Sequence, residues 1–345
     1  MPKDKYWNRE YELIFLEQEE EKKKFLKKID KLYEDTKDQI YIEIDAFLDR
    51  YFKTMTPTFT NLKKKLTEDE LKKFKKRVNK YYLKIASFGK KDYNNNYKTK
   101  LKDFSDRVSV SYEDEITIIV NQIMFELLNN LIILFKEYLM NIYENSYYHS
   151  VYTIDINTKL KDQLFVIDFD YIEGQINKEW LGNNFINRLI IRTQMTLPQM
   201  LQNTFSFFML SNKFDLTKEL SNKLEVHKTS SNNNGSYEIA NTSTDFIVNL
   251  AILQSFRNTD VVESFEFSAI IDDVTSDICF NMDGHIFKLS EAKLGVNVPP
   301  LHNHCRSILI PRIPKDKIVN KDSYLNFEDW LRKYAEDYYK NRLRR

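Results

Sequence analysis

Apolar residues recur every three or four positions through most of the chain, which is the spacing of amphipathic helices. The first such pattern covers residues 1–55. Residues 112–150 are apolar around most of a helical circumference, so we expect a helix, or a pair of helices, that is buried on most sides. Further helical patterns cover 180–212, 215–224, 240–257 and 324–343.

Strict alternation of apolar and polar residues first appears after Val262, and it predicts a strand over 265–271. Two more short strands are predicted at 286–289 and 307–310. The pair Asp283-Gly284 stands just before the second of these strands, where it is a hairpin signal.

Two polar stretches predict loops. Residues 90–97 contain three consecutive asparagines, and residues 227–237 are rich in Ser, Asn and Gly. Together the patterns predict an α+β protein that is predominantly α. We expect a helical N-terminal region (1–175), a mixed domain of helices on a small β unit (176–314) and a C-terminal helix (315–345).

Composition narrows the function classes only slightly. The chain has 345 residues, with 52 Lys and Arg against 51 Asp and Glu, so net charge gives no global signal for nucleic acid or membrane. Two cysteines are too few for a secreted disulfide scaffold. The N-terminus lacks the apolar core of a signal peptide. Polar residues interrupt the most apolar stretch, so we expect no membrane span and synthesis in a cytoplasm.

Charge is distributed unevenly along the chain, although the whole chain is nearly neutral. Residues 53–100 contain 15 Lys and Arg against 4 Asp and Glu. The candidate DNA-binding residues are Lys72, Lys73, Lys75, Lys76 and Arg77. One interpretation is contact with DNA phosphates, aided by interleaved aromatic residues. The other is a solvated helix face whose aromatic residues pack inward.

The stretch 265–312 carries the candidate chemistry. Asp272, Asp273 and Thr275 can bond their own backbone in a compact turn. The pair Pro299-Pro300 forces an extended approach that delivers the neighbouring Cys and His residues together. The residues so delivered are His302, His304, Cys305 and Arg306.

Three interpretations of the cysteines remain open. Cys279, His302 and Cys305 bind zinc, with His285 or His304 as a fourth ligand, although the spacing matches no standard zinc motif. Alternatively, the two cysteines form a disulfide once the protein leaves the cell. In the third interpretation both are buried thiols, and the histidines bond nearby carbonyls.

A catalytic interpretation is also open. Cys305 would be the nucleophile, His302 or His304 the base, and Asp272 or Asp273 would orient the histidine. Arg306 either forms a buried bidentate pair with one of these aspartates, locking the two ends of the stretch together, or contacts phosphate. We expect the locking role.

These residues resemble the Mu F-like phage head morphogenesis family. That family's pattern runs through an aspartate pair, Thr-Ser, Cys, Asp-Gly, Pro-Pro, His and Cys-Arg. The matching positions here are Asp272, Thr275, Cys279, Asp283, Gly284, Pro300, His302, Cys305 and Arg306. Residues 180–189, beginning at Trp180, resemble the Trp-x-Gly element that opens the same domain. The resemblance covers about 180–314.

The resemblance implies a minor capsid protein of the virion, located inside the head near the portal. Its implied partners are the portal protein, capsid or scaffold components and double-stranded DNA bound without sequence preference. It implies a role in head morphogenesis and in DNA packaging or ejection, and no enzymatic activity. The alternative is a metal- or Cys-dependent hydrolase or transferase built on residues 272–306.

Overall fold

The computed structural model describes residues 5–53, 59–87, 92–158, 160, 167, 169–193, 198–199, 201, 203, 213–229, 235–319 and 325–342. Most of these residues are helical. The helices are α1 (Lys5–Tyr51), α2 (Phe59–Leu62), α3 (Glu68–Ser87), α4 (Asp92–Asp106), α5 (Tyr112–Asn157), α6 (Phe169–Ile176), α7 (Phe185–Ile191), α8 (Lys213–Thr229), α9 (Ser236–Asn258), α10 (Asp277–Met282), α11 (Phe327–Tyr334) and α12 (Glu336–Arg342).

The described strands form one small antiparallel sheet. The strands are β1 (Ser264–Ser268), β2 (Ile286–Lys288) and β3 (Ile308–Arg312), in the order β2-β1-β3. Phe265 of β1 pairs with Phe287 of β2 on one side and Pro311 of β3 on the other. The predicted class, α+β and predominantly α, is confirmed. The first strand ends at Ser268, earlier than predicted, because the chain leaves the sheet to enter the turn before α10.

The chain divides into two compact units. Unit 1 comprises Met1–Leu26, Phe135–Phe185 and Glu238–Arg345, and unit 2 comprises Lys27–Leu134 and Ile186–Tyr237. The long helices α1 and α5 therefore contribute residues to both units. The domain boundaries at 175 and 314 remain a prediction.

In unit 1 the two long helices pack through aromatic rings and short polar contacts. Phe25 of α1 stacks on Tyr138 of α5, with 3.8 Å between ring centroids. The Tyr11 hydroxyl lies 2.7 Å from the hydroxyl of Ser150. The C-terminal helices pack on α5, since the Trp330 indole N–H donates to Asp155 at 2.8 Å. The last helical region therefore docks back on the protein.

Helix α5 has the length and apolar composition needed to cross a membrane. However, 78 % of its most apolar 18-residue window is buried within the protein. Leu128, Leu131 and Phe135 at its centre are fully buried. This burial is typical of the core helix of a folded domain and agrees with the helix predicted over 112–150.

In unit 2, helix α3 begins with a reciprocal capping arrangement. The Thr67 backbone N–H donates to the Glu70 carboxylate at 2.8 Å, and the Glu70 N–H approaches the Thr67 hydroxyl at 3.4 Å. The inner face of α3 carries Phe74 and Val78, which are buried. An N-cap residue, an acidic first turn and an amphipathic repeat follow one another in the sequence. These three signals are sufficient to predict α3.

Both predicted loops are partly wrong. Residues 92–97 belong to α4, because Tyr97, Leu101 and Phe104 repeat at helical spacing and are buried, which outweighs the weak helix propensity of asparagine. His227 lies in α8, and α9 already begins at Ser236. The residues between these helices, 230–234, lie outside the described part of the chain.

Candidate metal centre

Cys279 is positioned by a turn and a short helix that follow β1. The Asp272 carboxylate accepts the Val274 backbone N–H at 3.1 Å, and the Thr275 hydroxyl donates to the Ile270 carbonyl at 2.7 Å. These bonds form the compact turn predicted from the Asp and Thr residues. Ser276 then caps α10 by accepting the Cys279 N–H at 3.3 Å. Cys279 consequently points inward from the first turn of α10 and is 3 % exposed.

His302 and Cys305 arrive on the segment between the proline pair and β3. The Trp180 indole N–H donates to the Pro300 carbonyl at 3.1 Å, and this contact is buried. The Pro299-Pro300 peptide bond is cis. His304 has a φ of 55°, which turns the chain so that Cys305 is completely buried. Trp180 and Pro300, predicted as structural residues, are thus in direct contact.

Three of the predicted zinc ligands come together. The sulfur of Cys279 lies 3.1 Å from Nε2 of His302 and 3.5 Å from the sulfur of Cys305. All three donor atoms lie within 4.8 Å of one another. We call Cys279, His302 and Cys305 the Cys/His cluster. Both cysteines are free thiols, so the sulfurs are in contact without being bonded.

The two thiols differ in their affinity for a proton. Hydrogen bonding to Cys305 lowers the pKa of Cys279 to about 5, and the hydroxyls of Ser307 and Ser276 act in the same direction. The same contact, followed by burial, raises the pKa of Cys305. Cys279 therefore ionises more readily than Cys305, and two cysteine sulfurs beside an imidazole are a donor set suited to a soft metal ion.

The other two candidate histidines lie elsewhere. His285 is exposed, and its Nδ1 lies 3.2 Å from the Met282 carbonyl. It is not among the residues whose donor atoms converge in the described part of the chain. Nε2 of His304 contacts the buried carboxylate of Glu238. The predicted fourth ligand is therefore not supplied by either histidine.

Arg306 forms the predicted bidentate pair with Asp272. One guanidinium nitrogen donates to Oδ2 at 2.7 Å and the other to Oδ1 at 2.5 Å. Arg306 holds the pKa of Asp272 at about 2, well below its ordinary value. The pair joins the turn after β1 to the residue that follows Cys305. It lies at the surface, however, and not in the interior as expected, and the neighbouring Asp273 is exposed.

Asp283 and Gly284 connect α10 to β2. The Asp283 carboxylate accepts the Ala269 N–H at 3.0 Å, and the Gly284 N–H donates to the Phe267 carbonyl at 2.8 Å. Gly284 has a φ of 79°, a conformation that side chains disfavour. Asp283 and Gly284 therefore bond back to residues at the end of β1. The connection between β1 and β2 contains helix α10, so it is not the two-residue hairpin that the sequence indicated.

A buried polar face of α9 lies against this region and was not predicted. The residues concerned are Glu238, Thr242, Asp245 and Asn249, which repeat at helical spacing. The Asn249 side chain donates to the Ser307 carbonyl at 3.0 Å and accepts the Leu309 N–H at 3.2 Å. It therefore ties α9 to the start of β3. The sequence signal for this polar face is the recurrence of polar residues at helical spacing within an otherwise apolar helix.

Asp245 provides a test of this buried face. Burial raises its pKa from 3.8 to about 8. The folded state therefore disfavours its ionised form, so the stability that Asp245 contributes is full below about pH 4 and is lost as pH rises through about 8. We expect Asp245→Asn to be more stable than the wild type by an amount that grows by up to about 1.4 kcal/mol per pH unit within this window.

Urea unfolding from pH 5 to pH 9 measures this difference. Asp273→Asn is the control, because Asp273 is exposed in the same unit and its replacement should leave the pH profile unchanged. A difference between wild type and Asp245→Asn that stays constant with pH would contradict the assignment.

The predicted DNA-binding residues divide into two groups on α3. Lys72, Lys73 and Lys76 are exposed and Lys75 is half-buried. Arg77 instead turns inward and donates to the Glu115 carboxylate at 2.6 Å and to the Tyr51 hydroxyl at 3.0 Å. We define Lys72, Lys73, Lys75 and Lys76 as the α3 lysine face. Arg77 has a structural partner and is not part of it.

Comparison with known proteins adds one finding. Residues 214–310 match the family model described as Phage Mu protein F like protein. No curated protein and no solved structure matches the chain. The matched region contains α9, α10, most of the sheet and the whole Cys/His cluster. The region 214–310 of this chain is therefore similar to the Phage Mu protein F family.

Proposed function

We propose that this protein is a portal-associated minor head protein that takes part in head morphogenesis and in DNA packaging or ejection. The Mu F-like domain over residues 214–310 is the observation that carries this proposal. The protein lies inside the capsid near the portal, and its partners are the portal protein, capsid or scaffold components and double-stranded DNA.

The α3 lysine face supports contact with DNA. Lys72 and Lys76 are one helical turn apart, and Lys73 lies beside them on the same side of α3. Within the described part of the chain these amino groups form no ion pair with a carboxylate. Phe74 and Val78 hold the opposite side of α3 in the core of unit 2. A rigid row of unpaired lysines fits a phosphate backbone and carries no sequence preference.

The salt dependence of DNA binding tests this face. We expect wild-type affinity for double-stranded DNA to fall linearly as the logarithm of salt concentration rises. Replacing Lys72, Lys73, Lys75 and Lys76 with Gln should reduce the slope by about 0.9 for each DNA phosphate that the variant no longer neutralises. Fluorescence anisotropy with a labelled duplex at several salt concentrations measures the slope.

A matched variant controls for net charge. It replaces four lysines of α1 that already pair with acidic neighbours, namely Lys23, Lys24, Lys31 and Lys37. This variant should keep the wild-type slope, because paired lysines release few counterions on binding. Equal slopes for wild type and the α3 variant would exclude the α3 lysine face as a DNA-binding surface.

Portal association is tested in assembled particles. Cross-linking mass spectrometry of proheads should yield links between this protein and the portal protein, and quantitative mass spectrometry should give a few copies per particle. Links confined to the major capsid protein, at a copy number equal to that of the capsid lattice, would contradict the proposed location.

The enzyme alternative derives its support from the 3.1 Å contact between the Cys279 sulfur and His302. A nucleophilic thiol must be reached by its substrate. Cys305 is completely buried, and Cys279 is 3 % exposed. This burial favours a structural role for the Cys/His cluster over catalysis.

A further inference from the structure

Two of the three separations between donor atoms of the Cys/His cluster are close to those of a small tetrahedral metal site, and the third lies within 4.8 Å. Zinc at 2.3 Å from sulfur and 2.0–2.1 Å from nitrogen places two sulfurs about 3.8 Å apart, and sulfur and nitrogen about 3.6 Å apart. The corresponding distances here are 3.5 Å and 3.1 Å. These two distances differ from the zinc-bound values by about half an ångström or less. A disulfide, by contrast, requires the sulfurs to approach to about 2.05 Å.

The imidazole of His302 is oriented as a metal ligand would be. Its Nδ1 lies 2.7 Å from the backbone carbonyl of Asn303. A carbonyl oxygen only accepts hydrogen bonds, so Nδ1 carries the proton and Nε2 of the neutral ring keeps a free lone pair. That lone pair is directed at the Cys279 sulfur and the Ser276 hydroxyl. A backbone carbonyl that orients the second ring nitrogen is the usual outer partner of a zinc-binding histidine.

From this geometry we propose that Cys279, His302 and Cys305 bind one zinc ion, with a water molecule as the fourth ligand. Zinc sites in proteins are almost always four-coordinate, and the described part of the chain brings only three donors of suitable type together. The Ser276 hydroxyl, 2.7 Å from Nε2 of His302, lies where it can hold that water by a hydrogen bond.

The ion would strengthen a β unit that has a thin core. Among the residues that the structure describes, the apolar cluster around the two cysteines contains one other fully buried residue, Phe267, with Ala269, Met282, Phe287 and Leu301 partly buried around it. Zinc joins α10 to the segment after the proline pair, which are more than twenty residues apart in the sequence. A metal that binds the folded state and not the unfolded one stabilises the folded state.

Metal analysis of the purified full-length protein tests the proposal. Protein produced without a polyhistidine tag should contain one zinc ion per chain by plasma mass spectrometry. X-ray absorption at the zinc edge should show two sulfur ligands at about 2.3 Å and two nitrogen or oxygen ligands at about 2.0–2.1 Å. After chelation, Co²⁺ should restore the site and give the visible absorption of tetrahedral cobalt with thiolate ligands, and Tm should fall without metal.

Variants assign the ligands. His302→Ala should lose the zinc, whereas the matched variant His285→Ala should retain one ion per chain, since His285 is exposed and outside the cluster. Circular dichroism verifies that both variants are folded. The Co²⁺ titration uses wild-type protein, so it tests the site even where a variant fails to fold. Retention of zinc by His302→Ala would overturn the ligand assignment.

Two outcomes with wild-type protein would overturn the proposal altogether. In one, zinc-supplemented protein stays metal-free and its intact mass is 2 Da lower than that of the dithiol form, which identifies a Cys279–Cys305 disulfide. In the other, it stays metal-free with two titratable thiols after denaturation, which leaves the cysteines as packing residues only. Neither outcome bears on portal association or on the α3 lysine face, which are measured independently.

Discussion

Glu115→Ala is expected to lower the free energy of unfolding by about 3 kcal/mol. The Glu115 side chain is 2 % exposed and accepts hydrogen bonds from Arg50 at 3.0 Å, Arg77 at 2.6 Å and Tyr51 at 2.7 Å. Removing the carboxylate leaves two half-buried guanidinium groups without their shared partner. Urea unfolding followed by circular dichroism measures the change.

Glu113→Ala is the matched control two positions away on the same helix. Glu113 pairs with Lys63, and the two side chains are 31 % and 52 % exposed, against 2 % for Glu115. Exposed ion pairs contribute less than about 1 kcal/mol, so this variant should unfold close to the wild-type midpoint. If both variants lose the same amount of stability, Glu115 does not hold α1, α3 and α5 of unit 2 together as the contacts indicate.

Trp180→Ala should be the most damaging single replacement near the Cys/His cluster, with an expected loss of about 3–5 kcal/mol. Trp180 is 3 % exposed and stacks on Phe185 with ring centroids 6.0 Å apart. Its indole N–H bonds the Pro300 carbonyl, which precedes His302 by two residues. Besides lowering stability, the replacement should therefore free this segment and increase the rate at which Cys279 reacts with a thiol reagent.

Two variants separate the local effect from a general loss of stability. Trp180→Phe keeps most of the ring but removes the N–H, so it should lose about 1–2 kcal/mol. Trp7→Ala removes an equally buried tryptophan of unit 1. It should cost a similar amount of stability but leave native thiol reactivity unchanged. Equal thiol reactivity in Trp180→Ala and Trp7→Ala would show that the Pro300 contact does not position the segment.

Helices with long apolar repeats were predictable from the sequence because their signal is redundant. Many residues of α1 and α5 repeat the same spacing, so single exceptions do not obscure the helix. The strands were found from far fewer residues. Their alternation indicated β1 correctly, but it continued past Ser268 to Ile271, which is exposed in the turn.

Short elements set by tertiary contacts were not predictable. Helix α10 has six residues, and it forms because Ser276 caps it and Cys279 is buried, neither of which is a periodic pattern. Helix α4 begins within an asparagine-rich stretch that alone favours a loop. In both cases burial of a few side chains outweighs local propensity.

The proximity of three candidate ligands was predictable from the sequence, but the positions of the other two histidines were not. The order of Cys279, His302 and Cys305 in the sequence indicated a shared site, and the structure brings them together. Sequence spacing could not decide between His285 and His304, because the path of the chain after α10 directs both away. The contributions of Ser276 and Asn249 depend on contacts between distant segments.

On α3, Arg77 points inward to Glu115, whereas the neighbouring Lys76 is exposed to solvent. Two positive charges that are adjacent in the sequence therefore lie in different environments. At physiological ionic strength, charges in open solvent are screened beyond about 8 Å, while a pair around a buried carboxylate is screened much less. Raising ionic strength should therefore detach a polyanion from the lysines while the Arg77–Glu115 pair stays closed. A polyanion bound to the α3 lysine face would then be released by a change of medium alone, with no part of the fold having to open.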